Sequence, residues 1–211
     1  MKPINEDNII LLGDSLTRGF DGEKDLVYNW PYYLGQFLPF KSITNAGQNA
    51  GTITGNCELD LTYQIDHHNF KNYELATIFY GTNDFAHRYE TLEVVGRMLD
   101  QNIKQIKAEN PSIMILGILP LNRFDGGSDN YNMEGLAHYT FGQLLNCLIK
   151  VYHQNDINVL NWRKVAPTLV DNSNYQTRLN DHRLHPNSST YKMMARIIAE
   201  FIQKNVNQKE P

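Results

Sequence analysis

Residues 8–19 read NIILLGDSLTRG and place a serine directly after a run of large apolar side chains. The run at residues 8–12 is short and rich in branched residues, which is typical of a strand buried on both faces of a parallel sheet. Gly13 and Gly19 bracket the segment that follows, and glycine permits a tight turn and the close approach of a substrate. The stretch therefore predicts a strand that ends just before Ser15 and presents its hydroxyl at the edge of the sheet.

The same alternation of short apolar runs and amphipathic segments continues along the chain. Further strands are predicted at residues 42–45, 75–80, 112–119 and 157–161. Helices are predicted between them at residues 91–109, 133–154 and 188–203, with weaker patterns at 30–38 and 59–69. Strands that alternate with helices indicate right-handed βαβ units, which build a parallel sheet covered on both faces. We therefore expect an α/β fold with five parallel strands, whose functional groups collect at the carboxyl ends of the strands.

Composition limits the classes of protein that remain. The 211 residues are 41% hydrophobic and 20% charged, which suits a single domain spanning residues 1–211. The net charge of −4 provides no basic field, so nucleic acid is not an expected partner. No apolar stretch approaches the ~18 residues of a membrane span, and the N-terminus lacks the pattern of a signal peptide. These features predict a cytoplasmic protein without a membrane span. No metal is expected either, because the adjacent His67 and His68 would point in different directions on a helix.

Three further polar blocks fall where the predicted sheet would bring them to the edge that carries Ser15. Residues 45–52 (NAGQNAGT) follow the second strand, residues 81–84 (GTND) follow the third, and residues 181–187 (DHRLHPN) precede the last helix. Each block alone is typical of a turn or a helix cap, and Ser15 alone fits a helix N-cap. Four such blocks in this order indicate one functional site.

With these blocks the sequence resembles the SGNH hydrolase family, which is named for a Ser, a Gly, an Asn and a His. The matching residues are Ser15, Gly51, Asn83 and His185, and the resemblance extends from about residue 9 to the final helix. It implies a flavodoxin-like three-layer α/β/α fold. It also implies a GDSL-type lipase/acylhydrolase, an esterase that cleaves carboxylic esters through an acyl-enzyme. A small ester or a short acyl chain is the substrate that we expect.

The chemistry of ester cleavage gives each of these residues a role. Ser15 supplies the nucleophilic hydroxyl, and His185 accepts its proton and returns it to the leaving alcohol. The resemblance implies an oxyanion hole built from the backbone N–H groups of Ser15 and Gly51 and from the side-chain amide of Asn83. An amide donates hydrogen bonds without a charge of its own, so it suits that position. This mechanism requires no metal and no organic cofactor.

Two spacings depart from the family pattern. The family places its glycine five residues after the asparagine of the second block, whereas Asn45 and Gly51 are separated by one residue more, so Gly47 is a rival for that position. The family also places an aspartate three residues before the histidine.

That position before His185 holds His182, and Asp181 lies four residues before the base. Residues three and four positions apart share one side of a helical turn, so Asp181 is the favoured partner of His185. His182 or a backbone carbonyl are the alternatives.

Other functional interpretations compete with an active esterase. A flavodoxin-like domain that binds a phosphate or nucleotide would use the Gly-rich loops, but no phosphate-binding string follows the first strand. An α/β-hydrolase would require the pattern G-x-S-x-G, which Ser15 lacks. A protein with the SGNH fold and no activity is a further alternative. Residues 124–130 (FDGGSDN) follow the fourth strand and predict either a mobile lid or a surface connection.

Overall fold

The structure, a computed structural model, describes residues 6–208 and contains one sheet of five parallel strands. The strands are β1 (Asn8–Gly13), β2 (Ser42–Gly47), β3 (Leu75–Phe79), β4 (Met114–Ile118) and β5 (Val159–Leu160). Their order across the sheet is β2-β1-β3-β4-β5, and every neighbouring pair is parallel. The predicted α/β fold with a five-stranded parallel sheet is confirmed.

Nine helices connect and cover the strands within the described residues. They are α1 (Ser15–Arg18), α2 (Trp30–Phe37), α3 (Leu61–Asp66), α4 (Thr82–His87), α5 (Leu92–Glu109), α6 (Phe141–Gln154), α7 (Trp162–Val165), α8 (Tyr175–Arg178) and α9 (Ser188–Gln208). Short 3-10 helices lie at Phe70–Asn72 and Asn130–Asn132. None of these helices combines the length and the apolar character that a bilayer span requires.

The start of α6 differs most from the sequence-based expectation. A helix was predicted from residue 133, but α6 begins at Phe141, where Thr140 and Gln143 form a capping box. The preceding segment instead forms a bridge between Glu134 and Thr140, and His138 has a positive φ of 60°. A helix cannot continue through these contacts, and the apolar side chains of Met133 and Leu136 in this loop are exposed.

Strand β1 lies inside the sheet, between β2 and β3, and both of its faces are apolar. Ile9 and Leu11 belong to the core cluster that includes Trp30 and α9, while Ile10 and Leu12 belong to the cluster under α5 and α6. All four side chains are completely buried. Helices therefore cover both faces, and only the ends of the central strands reach solvent.

The carboxyl ends of three strands are in register at one edge of the sheet. Gly13, the last residue of β1, pairs with Gly47 of β2 on one side and with Phe79 of β3 on the other. The segments that follow these residues contain the first three polar blocks identified in the sequence. The register therefore places those blocks side by side.

Candidate active site

Ser15 is held at the junction between β1 and α1. It is the first residue of α1, and the Asp14 side chain caps this helix by accepting a hydrogen bond from the Leu16 N–H at 2.9 Å. Gly13 is required here because a Cβ atom would lie 1.9 Å from Thr17 Oγ1 and 2.9 Å from the Phe79 carbonyl. Since Ser15 opens the helix, its backbone N–H has no partner within α1.

The structure brings Ser15, His185 and Asp181 into one hydrogen-bonded chain. Ser15 Oγ lies 3.0 Å from His185 Nε2, and His185 Nδ1 lies 2.7 Å from Asp181 Oδ2. The serine and the histidine are 5% and 8% exposed, so both are nearly buried. The Asp181 side chain is the most exposed of the three. A hydroxyl, an imidazole and a carboxylate stand in the order that acyl transfer requires.

The Asp181 carboxylate also organises the loop around the histidine. Its Oδ1 accepts the backbone N–H groups of Arg183, Leu184 and His185 at 3.0, 2.8 and 2.9 Å. Burial alone would raise the pKa of Asp181, but the hydrogen bonds from the His185 ring and from the backbone outweigh it and hold the pKa well below its usual range. Asp181 is therefore a carboxylate at neutral pH.

Within residues 6–208, no hydrogen bond or ring contact joins His182 to His185. His182 is exposed and has a left-handed backbone with a φ of 54°, in a turn rather than in a helix. The helical-turn argument that favoured Asp181 therefore predicted the right neighbour from the wrong local structure. A loop closed by three N–H bonds places Asp181 against the ring.

An aromatic contact also holds the His185 ring. The edge of Phe20 packs against it, with ring centroids 5.1 Å apart and planes at 85°. Phe20 is anchored in turn, because its carbonyl accepts a hydrogen bond of 2.7 Å from the buried Tyr191 hydroxyl of α9. The ring is thus held by an aromatic side chain as well as by Asp181.

Asn83 and Gly51 also meet at this edge of the sheet. Asn83 Nδ2 donates a hydrogen bond to the Gly51 carbonyl at 3.0 Å, which uses one of its two amide hydrogens. Gly51 cannot carry a side chain, since a Cβ atom would lie 2.3 Å from the Leu59 carbonyl and 2.9 Å from the Tyr80 ring. The pairing orients the Asn83 amide beside the Ser15 loop.

The backbone N–H groups of the two candidate glycines are both engaged. Gly51 donates to the Gln48 carbonyl at 3.1 Å and closes a turn in which Ala50 has a φ of 64°. Gly47 donates to Asn45 Oδ1 at 3.0 Å. The role of Gly51 that the geometry displays directly is to accept the Asn83 amide, and its part in an oxyanion hole remains a prediction.

Buried carboxylates brace the loop of residues 51–55. Asp84 accepts hydrogen bonds from the N–H groups of Ile53 and Thr54 and from the Thr54 hydroxyl. Asp60 accepts the N–H and the hydroxyl of Thr52 in the same way, at 2.8 and 2.7 Å. Asp84 and its partners in this loop are 30 and 31 residues apart in the sequence.

A buried acidic group lies beneath the serine. Burial raises the pKa of Asp14 to about 7, and the neighbouring Asp84 adds to the shift. Burial raises the pKa of Asp84 as well. The Tyr80 hydroxyl, whose pKa burial raises well above 10, has no hydrogen-bond partner among the described residues. The helix that begins at Ser15 therefore rests on polar groups whose charge depends on pH.

The segment at residues 124–130 is a surface connection that is held in place by contacts with other parts of the chain, rather than a mobile lid. Phe124 stacks on Tyr175 with ring centroids 4.7 Å apart, and its N–H donates to the Arg183 carbonyl at 2.8 Å. Asp129 forms two hydrogen bonds with the Arg163 guanidinium. Of the two alternatives that the sequence left open, the structure favours the connection.

The most voluminous of the described cavities lies away from the serine. It measures about 470 Å³ and is lined by residues of β5 and α9, including Leu160, Ile197 and Phe201. Within residues 6–208 no three His, Cys, Asp or Glu side chains converge as metal ligands. His67 stacks on Tyr63, and the Nδ1 atom of His68 contacts the Gln64 carbonyl.

Together, the parallel sheet, its strand order and the helices on both faces define an α/β/α fold of the flavodoxin-like type. The sequence profile of the GDSL-like Lipase/Acylhydrolase family matches residues 11–193. The chain belongs to this family, as its resemblance to SGNH hydrolases predicted. Among curated proteins, none matches the sequence.

Solved structures similar to this chain share its fold at low sequence identity. A Lactobacillus plantarum protein superposes with a TM-score of 0.77 at 17% identity, covering 94% of this chain and 97% of its own. The lipase/acylhydrolase from Enterococcus faecalis has a TM-score of 0.68 at 18% identity, with coverages of 94% and 96%. A family two carbohydrate esterase from Clostridium thermocellum, solved with cellohexaose, has a TM-score of 0.64 at 13% identity and covers 98% of this chain and 66% of its own.

Proposed function

We propose that this protein is a serine ester hydrolase that cleaves carboxylic esters through an acyl-enzyme formed on Ser15. The observation that carries the proposal is the continuous chain from Ser15 Oγ through the His185 ring to Asp181, with distances of 3.0 and 2.7 Å. Binding of a ligand does not require this chain, in which a half-buried carboxylate contacts the ring on the side opposite Ser15.

The first half of the reaction transfers the acyl group to Ser15. The Asp181 carboxylate accepts a hydrogen bond from the N–H at His185 Nδ1, which keeps the proton on that nitrogen and leaves Nε2 with a free lone pair. As Ser15 Oγ attacks the ester carbonyl, its proton moves to Nε2. Asp181 stabilises the imidazolium that results, and Nε2 then protonates the alcohol oxygen as the carbon–oxygen bond of the ester breaks.

The second half repeats these steps with water. His185 Nε2 takes a proton from a water molecule, the hydroxide oxygen attacks the acyl carbon, and the proton returns to Ser15 Oγ as the acid leaves. Both halves pass through an oxyanion. We assign its stabilisation to the Ser15 N–H and to the second amide hydrogen of Asn83, with the Gly51 N–H shared between the oxyanion and the Gln48 carbonyl. Removal of one such donor typically lowers turnover by about 100- to 1,000-fold.

We further propose that the substrate carries a short acyl group. The Clostridium thermocellum relative is a carbohydrate esterase and the Enterococcus faecalis relative is a lipase/acylhydrolase, so both names describe cleavage of acyl groups. The profile of activity against acyl chain length distinguishes a short-acyl esterase from a lipase.

The test measures hydrolysis of p-nitrophenyl acetate, butyrate and octanoate by the wild type, by Ser15→Ala and by Ser128→Ala. Ser128 is exposed on the connection after β4 and serves as the matched control. We expect activity that is highest on acetate or butyrate, that Ser15→Ala abolishes and that Ser128→Ala preserves. Equal activity of the wild type and Ser15→Ala would show that Ser15 is not the nucleophile.

A wild type that hydrolyses none of the three esters is then treated with an organophosphate, p-nitrophenyl diethyl phosphate. Mass spectrometry detects whether Ser15 becomes phosphorylated. If Ser15 stays unmodified in the folded protein, it is not an activated nucleophile and the proposed function is wrong.

A further inference from the structure

Arg123 is a buried cation on the loop that follows β4. The residue is 2% exposed, and each of the three guanidinium nitrogens donates at least one hydrogen bond. One terminal nitrogen donates to both the carbonyl and the hydroxyl of Thr82, each at 2.9 Å. The Nε atom and the other terminal nitrogen donate to the two carboxylate oxygens of Asp125 at 2.5 and 2.8 Å. A buried charge is tolerated only when it is paired and hydrogen-bonded in this way.

The Thr82 contact bears directly on the amide that we assign to the oxyanion hole. Thr82 begins α4 and immediately precedes Asn83, after Gly81 with its φ of 125°. The guanidinium carbon also lies 5.4 Å from the centroid of the Phe85 ring, one turn further along this helix. Arg123 thus contacts the first turn of α4 on both sides of Asn83.

The next residue joins the same loop to the catalytic base. Phe124 donates its N–H to the carbonyl of Arg183, which lies between Asp181 and His185. Asp125, which holds the Arg123 guanidinium, is itself held by the Asn130 side chain. Residues 123–125 therefore bind α4 on one side and the loop of His185 on the other.

We propose that Arg123 is a positioning residue for this hydrolase, and the proposal rests on the proposed function. Its guanidinium group, oriented by Asp125, sets the position of the Asn83 amide relative to Ser15 Oγ. The geometry requires the planar guanidinium group of arginine, because one nitrogen donates hydrogen bonds to Thr82 while the two others donate to Asp125. A lysine retains the charge and supplies no such planar group.

The chain offers a matched control for this contact. Arg163 forms a similar two-point pair with Asp129, at 2.7 and 2.5 Å, and lies over the Tyr131 ring at 4.5 Å. This pair anchors the other end of the same surface connection. None of the described contacts joins Arg163 to α4 or to the loop of His185, so Arg163→Lys tests the connection alone.

The first experiment compares kcat and KM of the wild type, Arg123→Lys and Arg163→Lys on p-nitrophenyl acetate. We expect Arg123→Lys to lower kcat by about 100-fold with little change in KM, because displacement of a reacting or stabilising group by about 1 Å has an effect of that size. Arg163→Lys should retain nearly all of the wild-type kcat. An equal loss in both variants would mean that Arg123 only supports the loop, and would overturn the proposal.

A double-mutant cycle separates positioning from general support of the fold. If Arg123 acts through Asn83, then Arg123→Lys should lower kcat by less than about threefold in an Asn83→Ala background, because the group that it positions is already absent. If the two losses multiply, Arg123 does not act through Asn83. Asp125→Asn, which loosens the guanidinium from its other side, serves as a second variant should Arg123→Lys fail to fold, and we expect a smaller loss in the same direction.

A readout that needs no turnover keeps this proposal distinct from the proposed function. The side-chain amide of Asn83 is observed by NMR in protein labelled with ¹⁵N, with its resonance identified from Asn83→Ala. We expect this resonance to shift in Arg123→Lys and to stay in place in Arg163→Lys, whether or not any ester is cleaved. An unchanged Asn83 resonance in folded Arg123→Lys would refute the positioning role.

Discussion

Replacement of Asp14 by asparagine tests the pH dependence of the helix that begins at Ser15. Asp14 is 1% exposed, and its pKa of about 7 compares with an ordinary value of 3.8. Folding therefore takes up a proton at every pH between these two values. A carboxyl whose pKa is raised on folding stabilises the protein most at low pH, and this stability is lost as the pH rises toward 7.

The size of the effect follows from the width of that window. Above pH 5 the unfolded carboxyl is ionised and the folded one is largely protonated, so each pH unit at first lowers the free energy of unfolding by about 1.4 kcal/mol. The folded carboxyl is half ionised at pH 7, which reduces this slope, so the sum from pH 5 to pH 7 is about 2 kcal/mol. Asparagine keeps an oxygen that can accept the Leu16 N–H bond of 2.9 Å and removes the titration.

Urea denaturation of the wild type and Asp14→Asn at pH 5, 6, 7 and 8 measures this difference. We expect the stability of Asp14→Asn relative to the wild type to increase by about 2 kcal/mol from pH 5 to pH 7 and to level off by pH 8. The control is Asp171→Asn, because the Ser173 side chain lowers the pKa of that exposed carboxyl and its titration falls below this range. Parallel stability curves for the wild type and Asp14→Asn would refute the assignment of a raised pKa to Asp14.

Three further substitutions test other features of the site. Asp181→Asn should lower kcat by about 10,000-fold in a folded protein. The carboxylate oxygen Oδ2 lies 2.7 Å from His185 Nδ1, and an amide group at this position favours the wrong tautomer of the ring. Near-normal steady-state turnover of p-nitrophenyl acetate would remove Asp181 from the mechanism. Ala50→Gly should stabilise the protein by about 1 kcal/mol in thermal unfolding, because glycine adopts the φ of 64° found at Ala50 without strain. A lower melting temperature would contradict this reasoning. Tyr80→Phe should raise the free energy of unfolding in urea by about 1 kcal/mol, because it removes a buried hydroxyl that lacks a partner; a loss of that size would instead reveal a bound water.

The fold was predictable because its signals are local. The run at residues 8–12 alternates between two apolar cores, and such a run between turn residues indicates a buried strand without knowledge of its neighbours. The start of α6 was not predictable in this way. Gly135 packs so closely that a Cβ atom would lie 2.2 Å from the Phe85 carbonyl, and this distant contact overrides the helical pattern of the preceding residues.

The candidate site likewise contains residues that local sequence patterns indicate and a residue that they do not. Ser15, Asn83 and His185 follow from short blocks at the ends of predicted elements, and the structure brings them to one edge of the sheet. Arg123 carries no such signal, because its partner Thr82 lies 41 residues away and the stretch around it has the composition of an ordinary loop. Contacts of this kind depend on the arrangement of strands in space, which the sequence alone does not reveal.

The left-handed residues Ala50 and His182 have a consequence for how relatives of this protein are recognised. Each stands next to a residue whose spacing differs from the family pattern, Ala50 before Gly51 and His182 after Asp181. In both loops the additional residue turns the backbone back on itself, so the polar atoms that follow still reach their partners. Searches that demand a fixed number of residues between aspartate and histidine would discard such chains. A criterion based on the distance from a carboxylate oxygen to histidine Nδ1 would retain them.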